Sequence, residues 1–226
     1  EGVYLYDDAG NEYLDFGASY ACVPVGHCHP EVVGATVQQV ERLTYVQGSY
    51  PVESRTELYG RLADVAPGDV GKVWLCNSGT EANEAAIKFT RHATDRPKVV
   101  ATMMGFHGRT LGALAATWKQ EYKDGFGPLP EGFEFVPYGD ADALDETVDD
   151  ETAAVLVEPV QGEGGINPAP EGYLGAVRER TEEVGAAMIV DEIQTGLGRT
   201  GTMWACEEAG VVPDILTVAK GLASGL

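Results

Sequence analysis

The sequence predicts an α/β protein built on a mostly parallel sheet with helices on both faces. From about residue 73 onward, segments of strand character alternate with segments of helix character. The strand cores are continuous apolar runs such as Ala153–Val157, and not alternating ones. Such runs are typical of strands that are covered on both faces. With 226 residues, 44% of them hydrophobic, the chain can bury a large core.

The elements are predicted in the following order along the chain. Val3–Tyr6 and Glu12–Phe16 indicate a hairpin, because turn residues separate two short strand-like runs. Pro30 begins a helix with valines at helical spacing, and a second helix covers roughly Val52–Val65 before Pro67 ends it. The later elements are strand Val73–Cys76, helix Glu81–His92, strand Val99–Met103, helix Thr110–Thr117, strand Ala153–Val157, helix Leu174–Val184, strand Met188–Val190 and strand Ile215–Val218. We assign residues 1–50 to an N-terminal segment and 51–226 to one large domain.

Charge and composition narrow the class of protein. The chain carries 36 acidic and 15 basic residues, a formal net charge of −21. Such a chain repels nucleic-acid backbones and anionic lipid, so we expect neither as a partner. The acidic residues are dispersed, which suggests a protein kept soluble at high salt. Four cysteines without framework spacing, and no signal or membrane-spanning run, predict a cytoplasmic protein.

Two residues at predicted strand ends suggest a pyridine cofactor. Asp191 ends the apolar run 186–190, and Lys220 follows the run 215–219. A carboxylate can keep a ring nitrogen protonated, and a lysine can carry a cofactor aldehyde as a Schiff base. Strand-end acids and lysines also often just face solvent, so the pair needs support from the other segments.

Further polar blocks follow other predicted strands, at the edge where such sheets bind ligands. Ser78 and Glu81 have capping-box spacing, and the same helix start could bind a phosphate. Phe106, between glycines, could stack on a planar ring or belong to the core. Arg109 could bind a substrate carboxylate or form a surface salt bridge.

Three other patterns point to chemistry that the context does not support. Gly196-x-Gly198-x-x-Gly201 matches a dinucleotide fingerprint, but it lies five residues past its strand. The run 27–29, His-Cys-His, has no second cluster to complete a metal site, so we predict no metal. Glu158 and Glu163 flank a glycine-rich turn without a nearby histidine, which disfavours acid/base chemistry there.

Taken together, the blocks resemble the acetylornithine/ornithine branch of the class III aminotransferases, which use pyridoxal 5′-phosphate (PLP). They occur in the order and spacing of that family and extend over nearly the whole chain. The resemblance implies the large domain of the PLP-dependent transferase fold type I. The matching segments are GHCHP (26–30), NSGTEANEAAIK (77–88), GFHGRT (105–110), EPVQGEGG (158–165), DEIQTGLGRTG (191–201) and PDILTVAKGL (213–222).

The resemblance also implies a role for individual residues. Lys220 would be the covalent anchor and proton carrier, and Asp191 the partner of the pyridinium nitrogen. Glu163 would pair with a mobile arginine. Glu158 would contact the residues that bind the cofactor, and not the cofactor itself. The remaining implied contacts are Gln194 to the ring oxygen, Phe106 to the ring face, Ser78, Gly79 and Thr80 to the phosphate, and Tyr20 and Arg109 to the substrate.

The implied reaction moves an ω-amino group from acetylornithine or ornithine, or from lysine or ornithine held on an acidic amino-carrier protein, to 2-oxoglutarate. Lys119 and Lys123 could meet such a carrier, or be ordinary solvated lysines. The family is homodimeric and longer than this chain, so we expect a large-domain fragment without the C-terminal small domain. The alternatives are a glutamate-1-semialdehyde aminomutase, a 4-aminobutyrate-type aminotransferase, a nicotinamide oxidoreductase and a non-catalytic acidic interaction domain.

Overall fold

The computed structural model describes residues 2–225, which form two compact units. The smaller unit comprises residues 2–66, 71–73 and 220–225, and the larger one comprises residues 67–70 and 74–219. The boundary therefore falls near residue 66, whereas the sequence placed it at residue 50. Within residues 2–225, the helices are all too short or too polar to cross a bilayer.

The smaller unit begins with the predicted hairpin. Its strands pair antiparallel, with Tyr4 opposite Leu14. The helix predicted at Pro30 is confirmed and begins at that proline, whose missing N–H costs nothing at a helix start. The elements of this unit are β1 (Tyr4–Tyr6), β2 (Glu12–Leu14), the single turn α1 (Ala18–Ala21), α2 (Pro30–Arg42), α3 (Glu53–Val65) and a 3₁₀ turn at Lys220–Leu222.

The larger unit is an α/β layer structure around a five-stranded parallel sheet. The strand order is β4-β3-β5-β8-β9, and every neighbouring pair is parallel. A separate two-stranded ribbon pairs β6 with β7. The elements are α4 (Gly79–Thr94), β3 (Lys98–Thr102), α5 (Leu111–Ala116), β4 (Phe133–Val136), α6 (Ala141–Thr147), β5 (Thr152–Val157), β6 (Val160–Gln161), β7 (Asn167–Pro168), α7 (Tyr173–Val184), β8 (Ala187–Asp191) and β9 (Ile215–Thr217).

The central strand β5 shows how the sheet is covered on both faces. All six of its residues are buried. Ala154 and Leu156 pack with residues of α4 and α5 on one face, whereas Val155 and Val157 pack with residues of α6 and α7 on the other. Alternate side chains of a strand point to opposite faces, so a strand covered twice must be apolar throughout. The predicted fold class is confirmed.

Two parts of the predicted element order were wrong. Val73–Cys76 has no strand conformation, and Trp74 there is 68% exposed. An apolar run becomes a strand only where another strand offers backbone hydrogen bonds, and within residues 2–225 this run has no such partner. We also expected a loop between α5 and β5, whereas β4 and α6 lie there. The helix α6 is short and acidic, and the Asp140 carboxylate caps it by accepting a bond from the Ala143 N–H at 2.9 Å.

Candidate active site

Asp191 is a buried carboxylate at the carboxyl end of β8. It is 4% exposed, and three donors hold it. Its Oδ2 accepts bonds from Asn83 Nδ2 and His107 Nδ1, each at 2.8 Å, and its Oδ1 accepts one from the Ile193 N–H at 3.1 Å. A buried charge needs such partners, because an unpaired one costs several kcal/mol. The carboxylate is therefore fixed in place by donors from three different segments of the chain.

His107 is the imidazole that forms a hydrogen bond with this carboxylate. Its side chain is wholly buried, and its Nε2 has no hydrogen-bond partner among the described residues. Burial alone would lower the pKa of His107, but the hydrogen bond and charge of Asp191, with the charge of Glu158, outweigh burial and raise that pKa. The imidazole thus acts as a structural, hydrogen-bonded partner of Asp191.

Glu158 lies directly after β5, the strand beside β8, and is 5% exposed. Its Oε1 accepts a bond from the Phe106 N–H at 3.0 Å and its Oε2 one from the Gly162 N–H at 3.2 Å. Burial raises its pKa to about 7, against the opposing charge of His107. This carboxyl group joins the segment that follows β3 to the segment that follows β5.

The start of α4 carries the residues that are predicted to bind a phosphate. Ser78 is the N-cap: its Oγ accepts the Glu81 N–H at 3.3 Å and donates to Glu81 Oε2 at 2.9 Å, so the capping prediction is confirmed. A Cβ added to Gly79 would lie 2.7 Å from Ile193 Cδ1, so this helix start lies close to the segment after β8. The hydroxyl of Thr80 accepts bonds from the N–H groups of residues 109 and 110, at 3.1 and 3.2 Å.

Phe106 and Arg109 lie in the segment between β3 and α5. The ring of Phe106 is half-buried and meets Tyr122 edge-on, with ring centroids 5.6 Å apart. The Arg109 guanidinium lies 5.9 Å from the centroid of the Phe106 ring and is exposed. Phe106 is therefore no core residue, and the salt bridges found within residues 2–225 do not include Arg109, whose guanidinium lies over the Phe106 ring.

Gln194 and Glu163 belong to the turns after β8 and β6. A Cβ on Gly162 would lie 3.2 Å from the Gln194 side chain, so the two turns meet there. Glu163 is exposed, beside glycines whose close packing excludes larger residues. At Gly164 a Cβ would come within 2.7 Å of the Met104 carbonyl oxygen. The turn that carries Gln194 thus lies next to the turn that carries Glu163, and the roles of both side chains stay predictions.

Tyr20 and Lys220 belong to the smaller unit. Tyr20 is 78% exposed and lies in the turn α1, where its φ is 59°. Lys220 is half-buried, has a φ of 45°, and begins the 3₁₀ turn. In the chain it follows Thr217 by three residues, and Thr217 is the register partner of Asp191 in the β8–β9 pair. The substrate role of Tyr20 and the anchor role of Lys220 stay predictions.

Two polar residues of α4 contact the site but were not predicted from the sequence. Asn83 is fully buried and binds Asp191. Glu84 accepts bonds at one oxygen from the Thr110 hydroxyl and from the N–H groups of Gly112 and Ala113, at 2.6, 2.7 and 2.9 Å. The signal for Asn83 was its position: it lies three residues before Ala86 on the buried stripe of the helix, where an apolar side chain is normal.

Comparisons with known proteins show what the sequence is similar to. The sequence matches the family Aminotransferase class-III over residues 1–226. It is 51% identical to an acetylornithine aminotransferase of Methanopyrus kandleri, over the whole chain and 58% of that protein. It is 44% identical to a [LysW]-aminoadipate semialdehyde transaminase of Deinococcus radiodurans, over the whole chain and 53% of that protein.

Solved structures give the same result for the fold. The whole chain superimposes on 55% of the ornithine aminotransferase of Toxoplasma gondii, with a TM-score of 0.95 and 37% identity. It also superimposes on 57% of an (S)-enantioselective omega-transaminase of Thermomicrobium roseum, with a TM-score of 0.95 and 36% identity. The chain spans little more than half the length of the relatives that it matches.

Proposed function

The chain belongs to the class-III aminotransferases, and we propose that it supplies the cofactor-binding core of a PLP-dependent ω-aminotransferase of arginine or lysine biosynthesis. One observation carries the proposal. A buried carboxylate, Asp191, is held by three donors at the end of β8, and the strand paired with it leads within three residues to Lys220. A fixed acid and a nearby lysine in the chain are what a pyridinium aldehyde cofactor requires.

The donors and acceptors at the sheet edge fit PLP. The Oδ1 of Asp191 accepts a single bond among those found in residues 2–225, which leaves it a lone pair for a pyridinium N–H. The start of α4 offers backbone N–H groups that lack partners within their own helix, at the positive end of the helix dipole. A phosphate at Ser78, Gly79 and Thr80 would meet those groups.

When bound, PLP supplies an electron sink for the carbon that bears the amino group. The protein residues then have distinct tasks. Asp191 would bind the ring nitrogen, and Phe106 would lie against the ring. The Nζ of Lys220 would carry the proton, which requires the neutral amine. Gln194 would bind the ring oxygen, Arg109 would bind a substrate carboxylate, and Glu163 would pair with a mobile arginine.

The substrate class follows from the relatives. Two of the similar proteins are named an acetylornithine aminotransferase and a [LysW]-aminoadipate semialdehyde transaminase. We infer an ω-amino donor of this kind, with 2-oxoglutarate as acceptor, and a homodimeric, cytoplasmic enzyme adapted to high salt. Lys123 gives little support to an acidic carrier protein as partner, because its ammonium already has contacts within the chain. It donates to the Ala115 carbonyl and lies 4.7 Å from the Phe135 ring centroid.

A spectrum of the full-length protein with PLP tests the proposal. We expect a visible absorbance band of lysine-linked PLP, its loss in Lys220→Ala, and its retention in the control Lys119→Ala. Acetylornithine, ornithine and the carrier-bound donors, each with 2-oxoglutarate, then identify the substrate, and 4-aminobutyrate and glutamate-1-semialdehyde test the alternative activities. A band that persists in Lys220→Ala contradicts the site, and its absence from the wild type contradicts the function.

A further inference from the structure

Asn83 is a buried amide without an assigned task. It is 0% exposed, in the second turn of α4, on the helix face that packs on the sheet. An amide placed there without partners would cost several kcal/mol, so its hydrogen bonds decide whether the position is tolerable. Within residues 2–225 the amide makes three hydrogen bonds, and each connects it to a segment outside its own helix.

The partners of Asn83 fix which way its amide points. Nδ2 donates to Asp191 Oδ2 at 2.8 Å and to the His107 carbonyl oxygen at 2.7 Å, and neither of these atoms can donate. The NH₂ group must therefore face them. Oδ1 then faces the Thr217 hydroxyl, which donates to it at 2.8 Å. The amide orientation follows from chemistry alone.

These bonds place the amide across the ends of two strands. Asp191 of β8 and Thr217 of β9 are register partners, and Asn83 bridges them with one bond to each. Thr217 is also the last residue of β9, three residues before Lys220. The amide therefore connects the end of the strand that bears the carboxylate to the end of the strand that continues toward the lysine.

The two side chains that bind Asp191 Oδ2 differ in one respect. The bond from His107 gains strength when the imidazole is protonated, so it varies with pH. An amide has no titration in the working range, so its N–H is present at every pH. Asn83 can thus hold the carboxylate in one orientation whatever the state of the imidazole.

We propose that Asn83 is a positioning residue, whose amide fixes the Asp191 carboxylate toward the cofactor nitrogen and ties it to the end of β9. The role toward the cofactor rests on the proposed function, whereas the hydrogen bonds of Asn83 are seen in the structure whatever the function. A carboxylate that loses a donor holds a proton or an imidazolium more tightly. Removing the amide should therefore raise the pKa of the His107 imidazole and weaken the binding of PLP.

The test uses the full-length protein with Asn83→Ala and a matched control, Thr90→Val. Thr90 lies on the same buried face of α4, but its hydroxyl bonds only to carbonyl groups of its own helix. In the PLP-free protein, ¹⁵N NMR of the imidazole should show the pKa of His107 raised by about half a unit or more in Asn83→Ala, and unchanged in Thr90→Val. In PLP titrations, Asn83→Ala should bind about tenfold more weakly than the control.

Two further variants keep the test decisive. Asn83→Asp preserves the shape and adds an acid opposite Asp191, so it should raise the pKa of His107 even if Asn83→Ala fails to fold. Thr217→Val removes the bond on the other side of the amide, and should weaken PLP binding in the same direction. The proposal is overturned if the Asn83 variants match Thr90→Val in both measurements. If Asn83→Ala raises the pKa of His107 but the wild type binds no PLP, the proposed function is contradicted instead.

Discussion

The raised pKa of Glu158 predicts how the stability of this protein depends on pH. This carboxyl group ionises near pH 4.5 in the unfolded chain and near 7 in the folded one, because burial disfavours its charge. Between these values the folded state binds more protons, so the free energy of unfolding falls as pH rises through the window. A difference of about 2.5 pKa units corresponds to about 3 kcal/mol. The stabilisation is present below pH 4.5 and lost above pH 7.

Glu158→Gln removes this titration. Glutamine can accept only one of the two N–H groups that now bind the carboxylate, a cost of about 1–3 kcal/mol that does not depend on pH. Urea unfolding at several pH values between 4.5 and 8 separates the two effects. The stability of the variant relative to wild type should rise by about 3 kcal/mol from the lower pH to the higher. Glu163→Gln, at an exposed position nearby, measures the effect of net charge alone. A relative stability that stays constant across this range would refute the reasoning.

Three other outcomes can be measured. Glu84→Ala should lower the free energy of unfolding by about 2 kcal/mol in urea melts, because three donors at the start of α5 lose their acceptor. Gly108→Ala should lower both Tm and PLP affinity, because the φ of Gly108 is 141° and a Cβ there would overlap the Thr80 hydroxyl. If neither Tm nor PLP affinity changes, the backbone around Gly108 can shift to make room for the methyl group. Melts across salt concentration should show Tm rising with salt, since screening weakens repulsion in a chain of net charge −21, and full stability in dilute buffer would contradict the high-salt interpretation.

The sequence could predict those site residues whose places follow from topology. Asp191 ends a buried strand, and the ends of parallel strands meet at one edge, so its location needed no knowledge of distant contacts. The strand at Val73–Cys76 could not be judged in this way, because strand formation depends on a partner that the run itself does not encode. Asn83 and Glu84 were missed for a related reason. The role of a polar residue such as Asn83 depends on hydrogen bonds to residues that lie 24 to 134 positions away in the chain.

The two buried carboxylates of the site show why those distant contacts matter. Asp191 and Glu158 end or follow adjacent parallel strands, so the sequence pattern treats them alike. Their donors differ: Glu158 has two backbone N–H groups, whereas Asp191 has an amide, an imidazole and one backbone N–H. Burial raises the pKa of Glu158 to about 7, so acidification through neutral pH removes the charge there. At Asp191 the hydrogen bond and the charge of the carboxylate outweigh burial and raise the pKa of His107. The two acids therefore differ through the donors that surround them, and some of these donors come from residues far away in the chain.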